Sequence, residues 1–429
     1  MNRAAIATAA CLGALSAASC HAGPPRVEVV PTDAGHELLV AGEPYFIKGV
    51  GGSSRLDDLA AAGANSFRTW DAEGIRPQLD AAHERGLMVT VGIWLEHERH
   101  GIDYDDPKTR DDQLARVRGF VEDLKDHPAV LLWGLGNEVN LGATDIDKAL
   151  RSIEEAAALT KSLDPDHPTM TVIPEIGEDM AARIAAECPS IDILGVNSYA
   201  GLASLPQRLT GQGYTGPYIV CEFGPPGHWE VGKTEWGEPF EPTSAQKAET
   251  YERNYRGGVL AEHPGRCLGS YAFLWGHKQE TTGTWFGMFL PSGEALPTVD
   301  VMTKLWSGEW PDNRAPSVRK LELLPEGLRI EAGAPFRAFV DADDPEGDDL
   351  DIAWEIRYES TQRAMGGDHE DRPDAIENTV RRTAGKSAFV RAPKTPGKYR
   401  IYVVVRDGNG HAGTANLPFL VEPATKKGG

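Results

Sequence analysis

From residue 45 to residue 306 the chain alternates between short apolar runs and longer segments whose apolar residues recur every three or four positions. The runs at 45–50, 64–70, 87–94, 130–138, 169–173, 191–196, 217–222 and 268–275 are rich in Val, Ile, Leu and aromatic residues, and they read as buried strands. Between and after them, segments 55–62, 75–85, 111–125, 146–163, 178–187, 203–210, 244–262 and 298–306 carry helical spacing. In 111–125, for example, Leu114, Val117, Phe120, Val121 and Leu124 fall on one face. Strand and helix alternating eight times over about 270 residues predict an α/β fold of the (β/α)8 barrel type. An open dinucleotide-binding sheet is excluded, because no Gly-x-Gly-x-x-Gly follows the first strand.

The flanks read differently. Residues 25–44 alternate around two turn signals and predict a hairpin leading into the barrel, which is expected to occupy 25–308. A Pro-rich linker at 309–316 follows. Residues 317–423 then show short alternating strands separated by Gly, Pro and Asp turns, the pattern of a small all-β sandwich of immunoglobulin-like type. Within it, the acidic stretch 341–349 resembles the Asp-rich loop of cadherin-like modules but reads as a solvated turn, since its spacing fits no EF-hand. The tail, 424–429, reads as disordered.

Residues 1–22 carry one positive charge near the start and then an Ala/Leu-rich run too short to span a bilayer, the pattern of an export signal. Two cleavage readings stay open: a small-residue site near Ala22, or a lipoprotein-type box in which Cys20 carries a lipid anchor. The expected location is extracytoplasmic: periplasmic, outer-membrane lipoprotein or secreted. No later stretch is long and apolar enough to be an integral membrane span.

Net charge narrows the partners. With 43 basic against 64 acidic residues the chain carries −21, and no basic face exists to neutralise phosphates, so nucleic acid is excluded as a partner. Beyond the signal the cysteines are Cys188, Cys221 and Cys267, with no metal-type spacing, and they read as small buried hydrophobes.

Two of the strands end in the same way. Residues 130–140 run Val-Leu-Leu-Trp-Gly-Leu-Gly-Asn-Glu-Val-Asn, and residues 217–224 run Pro-Tyr-Ile-Val-Cys-Glu-Phe-Gly, so each apolar strand delivers one carboxylate, Glu138 and Glu222, to its C-terminal end. The C-terminal mouth is the active face of a (β/α)8 barrel, and paired carboxylates are what glycoside hydrolysis needs. Arg68 would keep Glu222 ionised and the Tyr199 hydroxyl would orient it, while apolar surroundings including Trp133 would keep Glu138 protonated. Asn137 suits a sugar 2-hydroxyl. Trp94, Trp275 and Trp285 are either a sugar-stacking wall or core. Trp229 and Trp236 fall in a long loop after Glu222, an expected rim, and Glu175 is a third carboxylate at a strand end, expected to start a helix.

With these residues placed, 44–306 resembles a retaining glycosidase of clan A, in particular the barrel domain of glycoside hydrolase family 2. The resemblance rests on Gly-Asn-Glu at 136–138, Glu-Phe-Gly at 222–224, Arg68, Asn197-Ser-Tyr at 197–199 and Trp275. It implies Glu138 as general acid/base and Glu222 as nucleophile, with Arg68, Asn137, Asn197, Tyr199, Trp94, Trp275 and Trp285 as substrate-binding residues. It implies no metal and no organic cofactor. Family 2 enzymes typically carry two β domains ahead of the barrel, whereas only a hairpin precedes it here, so exo action does not carry over. The expected function is retaining hydrolysis of a β-linked oligo- or polysaccharide, β-glucan first. The alternatives are a transglycosidase on the same substrates and a catalytically inactive carbohydrate-binding envelope protein.

Overall fold

A computed structural model describes residues 24–364 and 366–424. The export signal with Cys20, and all of the tail but Ala424, lie outside the described residues. The chain opens with β1 (Val27–Thr32), β2 (Gly35–Val40) and β3 (Glu43–Pro44), so the expected hairpin is extended by a third, two-residue strand.

Eight parallel strands then close into a barrel: β4 (Ile47–Gly51), β5 (Ser66–Arg68), β6 (Met88–Ile93), β7 (Val130–Asn137), β8 (Thr169–Pro174), β9 (Ile193–Asn197), β10 (Tyr218–Phe223) and β11 (Cys267–Ala272). Each is followed by a helix: α1 (Leu56–Ala61), α2 (Arg76–Glu84), α3 (Pro107–Leu124), α4 (Ile146–Leu163), α5 (Met180–Glu187), α6 (Leu205–Gly211), α7 (Ser244–Asn254) and α8 (Pro297–Ser307). Apolar helix stripes such as Val117, Val121, Ile153 and Ala157 pack on outward strand residues such as Val89 and Trp133, which forms the main core. A separate layer with Leu132, Met170, Ile219 and Tyr271 is drawn from β4 and from β7 to β11 and fills the barrel interior.

Boundaries moved where local chemistry outweighs periodicity. α3 starts four residues earlier than the apolar spacing predicts, because Pro107 sits in its first turn and the Asp106 side chain accepts from the Lys108 N–H. The strands expected at 64–70 and 268–275 are shorter, so Trp70 and the segment Phe273–Trp275 fall on the loops above the barrel. All three described cysteines are free and buried, and burial pushes each thiol up to about 12. No helix among the described residues is long and apolar enough to cross a membrane.

Beyond α8 two four-stranded sheets share a second core. One has the order β12 (Ser317–Leu324), β14 (Pro335–Asp343), β17 (Ser387–Arg391), β16 (Val380–Ala384). The other has the order β13 (Arg329–Glu331), β19 (Ala412–Glu422), β18 (Gly397–Arg406), β15 (Asp351–Tyr358). Inward residues of both, including Phe336, Val340, Ile401, Val403 and Phe419, pack together between them. The acidic stretch is built as a self-capped turn, in which Asp344 Oδ1 accepts from the backbone N–H groups of Glu346, Gly347 and Asp348.

The β unit is joined to the barrel by buried charge. Arg400, fully buried, donates from Nε to both oxygens of Glu359 at 3.0 Å, from Nη1 to Asn416 Oδ1 at 2.7 Å and from Nη2 to Pro239 O at 3.0 Å. Asn416 in turn donates to Glu241, which is paired with Lys247 of α7 at 2.5 Å. Removing one partner from such a network leaves the others desolvated and unpaired. Arg400→Ala is expected to destabilise the protein by about 3–5 kcal/mol, measurable as a lowered denaturation midpoint.

Candidate active site

The site is built from the C-terminal ends of seven barrel strands, β5 to β11. β7 is buried along its whole length and turns at its penultimate residue, Gly136, whose backbone is left-handed (φ 74) and packed so closely that a Cβ there would lie 2.4 Å from Val139. Only glycine fits. The turn it permits carries Asn137 and then Glu138, itself left-handed at φ 56, a conformation that costs a non-glycine residue about 1–3 kcal/mol. The Glu138 N–H is held by Val172 O at 2.7 Å, and its carboxylate Oε1 accepts from Asn197 Nδ2 at 2.8 Å.

Glu222, on β10, is buried and takes three donors. Trp70 Nε1 (3.0 Å) and Arg68 Nη1 (3.3 Å) reach Oε1, and the Tyr199 hydroxyl donates to Oε2 at 2.9 Å. An ionised carboxylate, an acceptor on every lone pair, suits this cradle. Arg68 also donates to Cys221 O (2.9 Å) and, through Nη2, to Asn137 Oδ1 (2.9 Å). Asn197 closes the network by reaching both Asn137 (3.3 Å) and Glu138. Asn137 is thereby fixed with its amide nitrogen as the remaining donor.

The two carboxylates stand in different electrostatic settings. Burial first, and the charge of Glu222 second, push Glu138 up to about 7, against the lowering effect of the Asn197 hydrogen bond. The Tyr199 phenol is driven far above its ordinary value by burial and then by Glu222, so it remains a protonated donor. One group is thus poised to give a proton while the other is solvated by fixed donors, the division of labour that acid–base and nucleophilic chemistry at one carbon demands. Arg68 donates to several acceptors at once in a fork that an ammonium cannot reproduce. Arg68→Lys is expected to lower kcat/KM about a hundredfold or more with the fold intact by circular dichroism.

Glu138 and Glu222 line one cavity of about 730 Å³. Arg68 is buried behind it and reaches it through Glu222 and Asn137. Asn137, Asn197, Tyr199 and Trp94 line it, whereas two of the expected aromatic contacts do not. Trp275 is buried in the main core, edge-on to Phe289 at 4.9 Å, and Trp285 is buried one layer back, with its indole N–H bound to Pro226 O. Their places on the wall are taken by Trp70 and by Trp229, which is 54% exposed and packs edge-on against Tyr199. Trp94 stacks on the buried His97 at 4.8 Å and 4°, and burial lowers that imidazole to about 4, so the stack is uncharged at neutral pH. Trp133 does not adjoin Glu138. It points into the helical layer, where its indole donates to Asp164.

Glu175 is left-handed (φ 46), paired with Arg208 at 2.5 Å and bonded by the Ser198 hydroxyl, and it also lines the cavity. It precedes α5 without capping it. Sequence reasoning missed Glu280, a buried carboxylate in the loop after β11 that pairs with Lys278 at 2.8 Å and lines the same cavity. Its signal was a further acidic residue in the segment after the last barrel strand, in Lys278-Gln-Glu280. Also missed were residues of the β unit that reach the cleft, among them Arg363, Gly367 and Asp368.

Comparison with known proteins points the same way. Residues 59–244 match the family described as glycosyl hydrolases family 2, TIM barrel domain. A β-galactosidase of Arthrobacter sp. (strain B7) is 28% identical over 183 residues, 40% of this chain and 17% of the relative. A β-glucuronidase of Paenibacillus borealis is 28% identical over 164 residues, 32% of this chain and 27% of the relative. The chain thus spans well under a third of the length of these two relatives. Among solved structures, a β-D-glucuronidase of Dictyoglomus thermophilum superposes with a TM-score of 0.51 at 21% identity, covering 67% of this chain and 54% of that one. Within residues 59–244 the chain is thus similar to the TIM barrel domain of glycosyl hydrolases family 2, and the solved structure shares its barrel fold.

Proposed function

We propose that the chain is a retaining β-glycosidase. The observation that carries this reading is the pairing in one cavity of Glu138, raised to about 7, with Glu222, cradled by three donors. In the first step a Glu222 oxygen bonds to the anomeric carbon as the glycosidic C–O bond breaks, and the Glu138 proton passes to the departing oxygen. In the second, the Glu138 carboxylate takes a proton from water, whose oxygen displaces Glu222 and restores both groups. The Asn137 amide is suited to hold the 2-hydroxyl, and Trp94 and Trp229 offer faces for the sugar ring.

The substrate we favour is a β-linked oligosaccharide, gluco-configured first, with the galactosides and glucuronides named for the relatives as the next to test. Transfer to a second sugar in place of water uses the same intermediate and stays the alternative. A non-catalytic carbohydrate-binding role is disfavoured by the cost of holding Glu138 left-handed and desolvated. From the N-terminal pattern we also propose export, with Cys20 as a lipid site if the second cleavage reading holds. The β unit we read as immunoglobulin-like. The test is a panel of aryl and oligosaccharide β-glucosides, β-galactosides and β-glucuronides, followed by proton NMR. Release of the β-anomer first is expected. Release of the α-anomer, or no turnover of any member, would overturn the reading.

A further inference from the structure

We propose that the loop between β15 and β16 is a second wall of the active-site cleft and confines attack to the end of a glycan chain; this rests on the glycosidase reading above. The cavity is lined from the barrel by Trp94, Glu138 and Glu222, and from this loop by Arg363, Gly367 and Asp368, so its outline is the product of both units. The loop is tied down on the barrel rim. Asp368 Oδ2 accepts from Arg99 Nη1 at 2.6 Å, and Arg363 pairs with Glu238 in the loop after β10. Gly367, left-handed at φ 79, lies so close that a Cβ on it would be 2.6 Å from Lys278 Nζ.

Glu370 is the clamp. It is 2% exposed, and its two oxygens bind in opposite directions: Oε1 accepts from Ala364 N at 2.9 Å within the loop, and Oε2 from Thr281 N at 2.6 Å in the barrel segment after β11. Thr281 is left-handed at φ 61, which a β-branched residue adopts only when its surroundings hold it there. Its neighbour Glu280 faces the cavity beside Glu222's field. One carboxylate from the β unit therefore fixes both the wall and the turn that presents Glu280. Without the wall, the cleft would open on the side of Arg99 and Lys278, and a chain could run through rather than stop. Glu370 is thus a positioning residue for substrate length.

The test compares the full-length protein with Glu370→Ala, Glu370→Gln and the double variant Arg363→Ala/Asp368→Ala on β-linked oligosaccharides from disaccharide to hexasaccharide. Wild type is expected to release one sugar at a time from one end. Glu370→Ala and the double variant should raise KM for the disaccharide about tenfold with a smaller change in kcat, and should begin internal cleavage. Glu370→Gln, which keeps one accepting oxygen, should fall between. A purely structural role would lower the melting temperature while leaving the product ladder and KM of the folded fraction unchanged, and that result overturns the proposal. So does internal cleavage by the wild type. Calorimetric binding of the same sugars to Glu222→Gln, with and without the loop changes, separates the two readings. Binding that weakens about tenfold on loop change, without turnover by the wild type, sinks the hydrolase but keeps the wall. Binding that the loop changes leave untouched sinks the wall, and no binding at all sinks both.

Discussion

Glu222→Gln is expected to reduce kcat on every substrate the protein cleaves by about 10⁴-fold or more, a barrier increase of roughly 5.5 kcal/mol. The amide is nearly isosteric and keeps contact with Trp70 and Arg68, but it cannot form the ester to the anomeric carbon. Substrate affinity should change little, so the loss falls on kcat rather than KM. Glu222→Ala opens space at the same place, and added azide should then restore turnover with an inverted glycosyl azide as product. Failure of both signatures, with the variants folded, would falsify the nucleophile assignment. The substitution also has a second effect. Glu138 is raised partly by the charge on Glu222, so in Glu222→Gln its titration should move down toward the ordinary carboxylate range, readable by NMR of a labelled Glu138.

Glu138→Gln should divide substrates by leaving group. Glycosides whose leaving oxygen needs a proton are expected to lose about 10²–10⁴-fold, whereas aryl glycosides with acidic phenols should keep their first step and stall at the glycosyl-enzyme. A burst of phenol followed by slow turnover is the expected trace. For the wild type the direction in pH follows from the same group. A general acid must start protonated, so kcat/KM should be full on the acid side of about pH 7 and fall about tenfold per unit above it, as Glu138 loses its proton. A profile rising through pH 7 instead would assign the proton to another residue.

Much of this site could be read before the fold was seen, because barrel topology turns a local pattern into a spatial one. Strands with Arg68, Asn137, Asn197 and Glu222 at or next to their C-terminal ends must deliver those residues to one mouth, and they do. The aromatic residues could not be sorted the same way. Trp275 and Trp285 lie in the loop segment after β11, as Trp94 lies after β6, but they turn inward, and the direction of a side chain on an irregular loop is not encoded in spacing. Trp133 was misplaced for the opposite reason: strand alternation sets its direction, and it faces the helices. Glu280 carried only the weak signal of an acidic residue after the last strand, and the wall with Arg363 and Asp368 was beyond reach because it depends on how two units dock. That docking is held by single buried groups such as Arg400 and Glu370, which in sequence are ordinary charged residues among many.

The three sheltered thiols give this protein a built-in reporter of its own opening. Thiolate is the reactive form, and a group buried and held near 12 offers almost none of it to an alkylating reagent. Labelling of Cys188 against the α4 backbone, and of Cys221 and Cys267 in the barrel strands, should therefore wait for the surrounding element to come apart. Their relative labelling rates, followed by mass spectrometry in rising urea, are expected to rank the outer helical layer and the staves of the barrel by how readily each lets go.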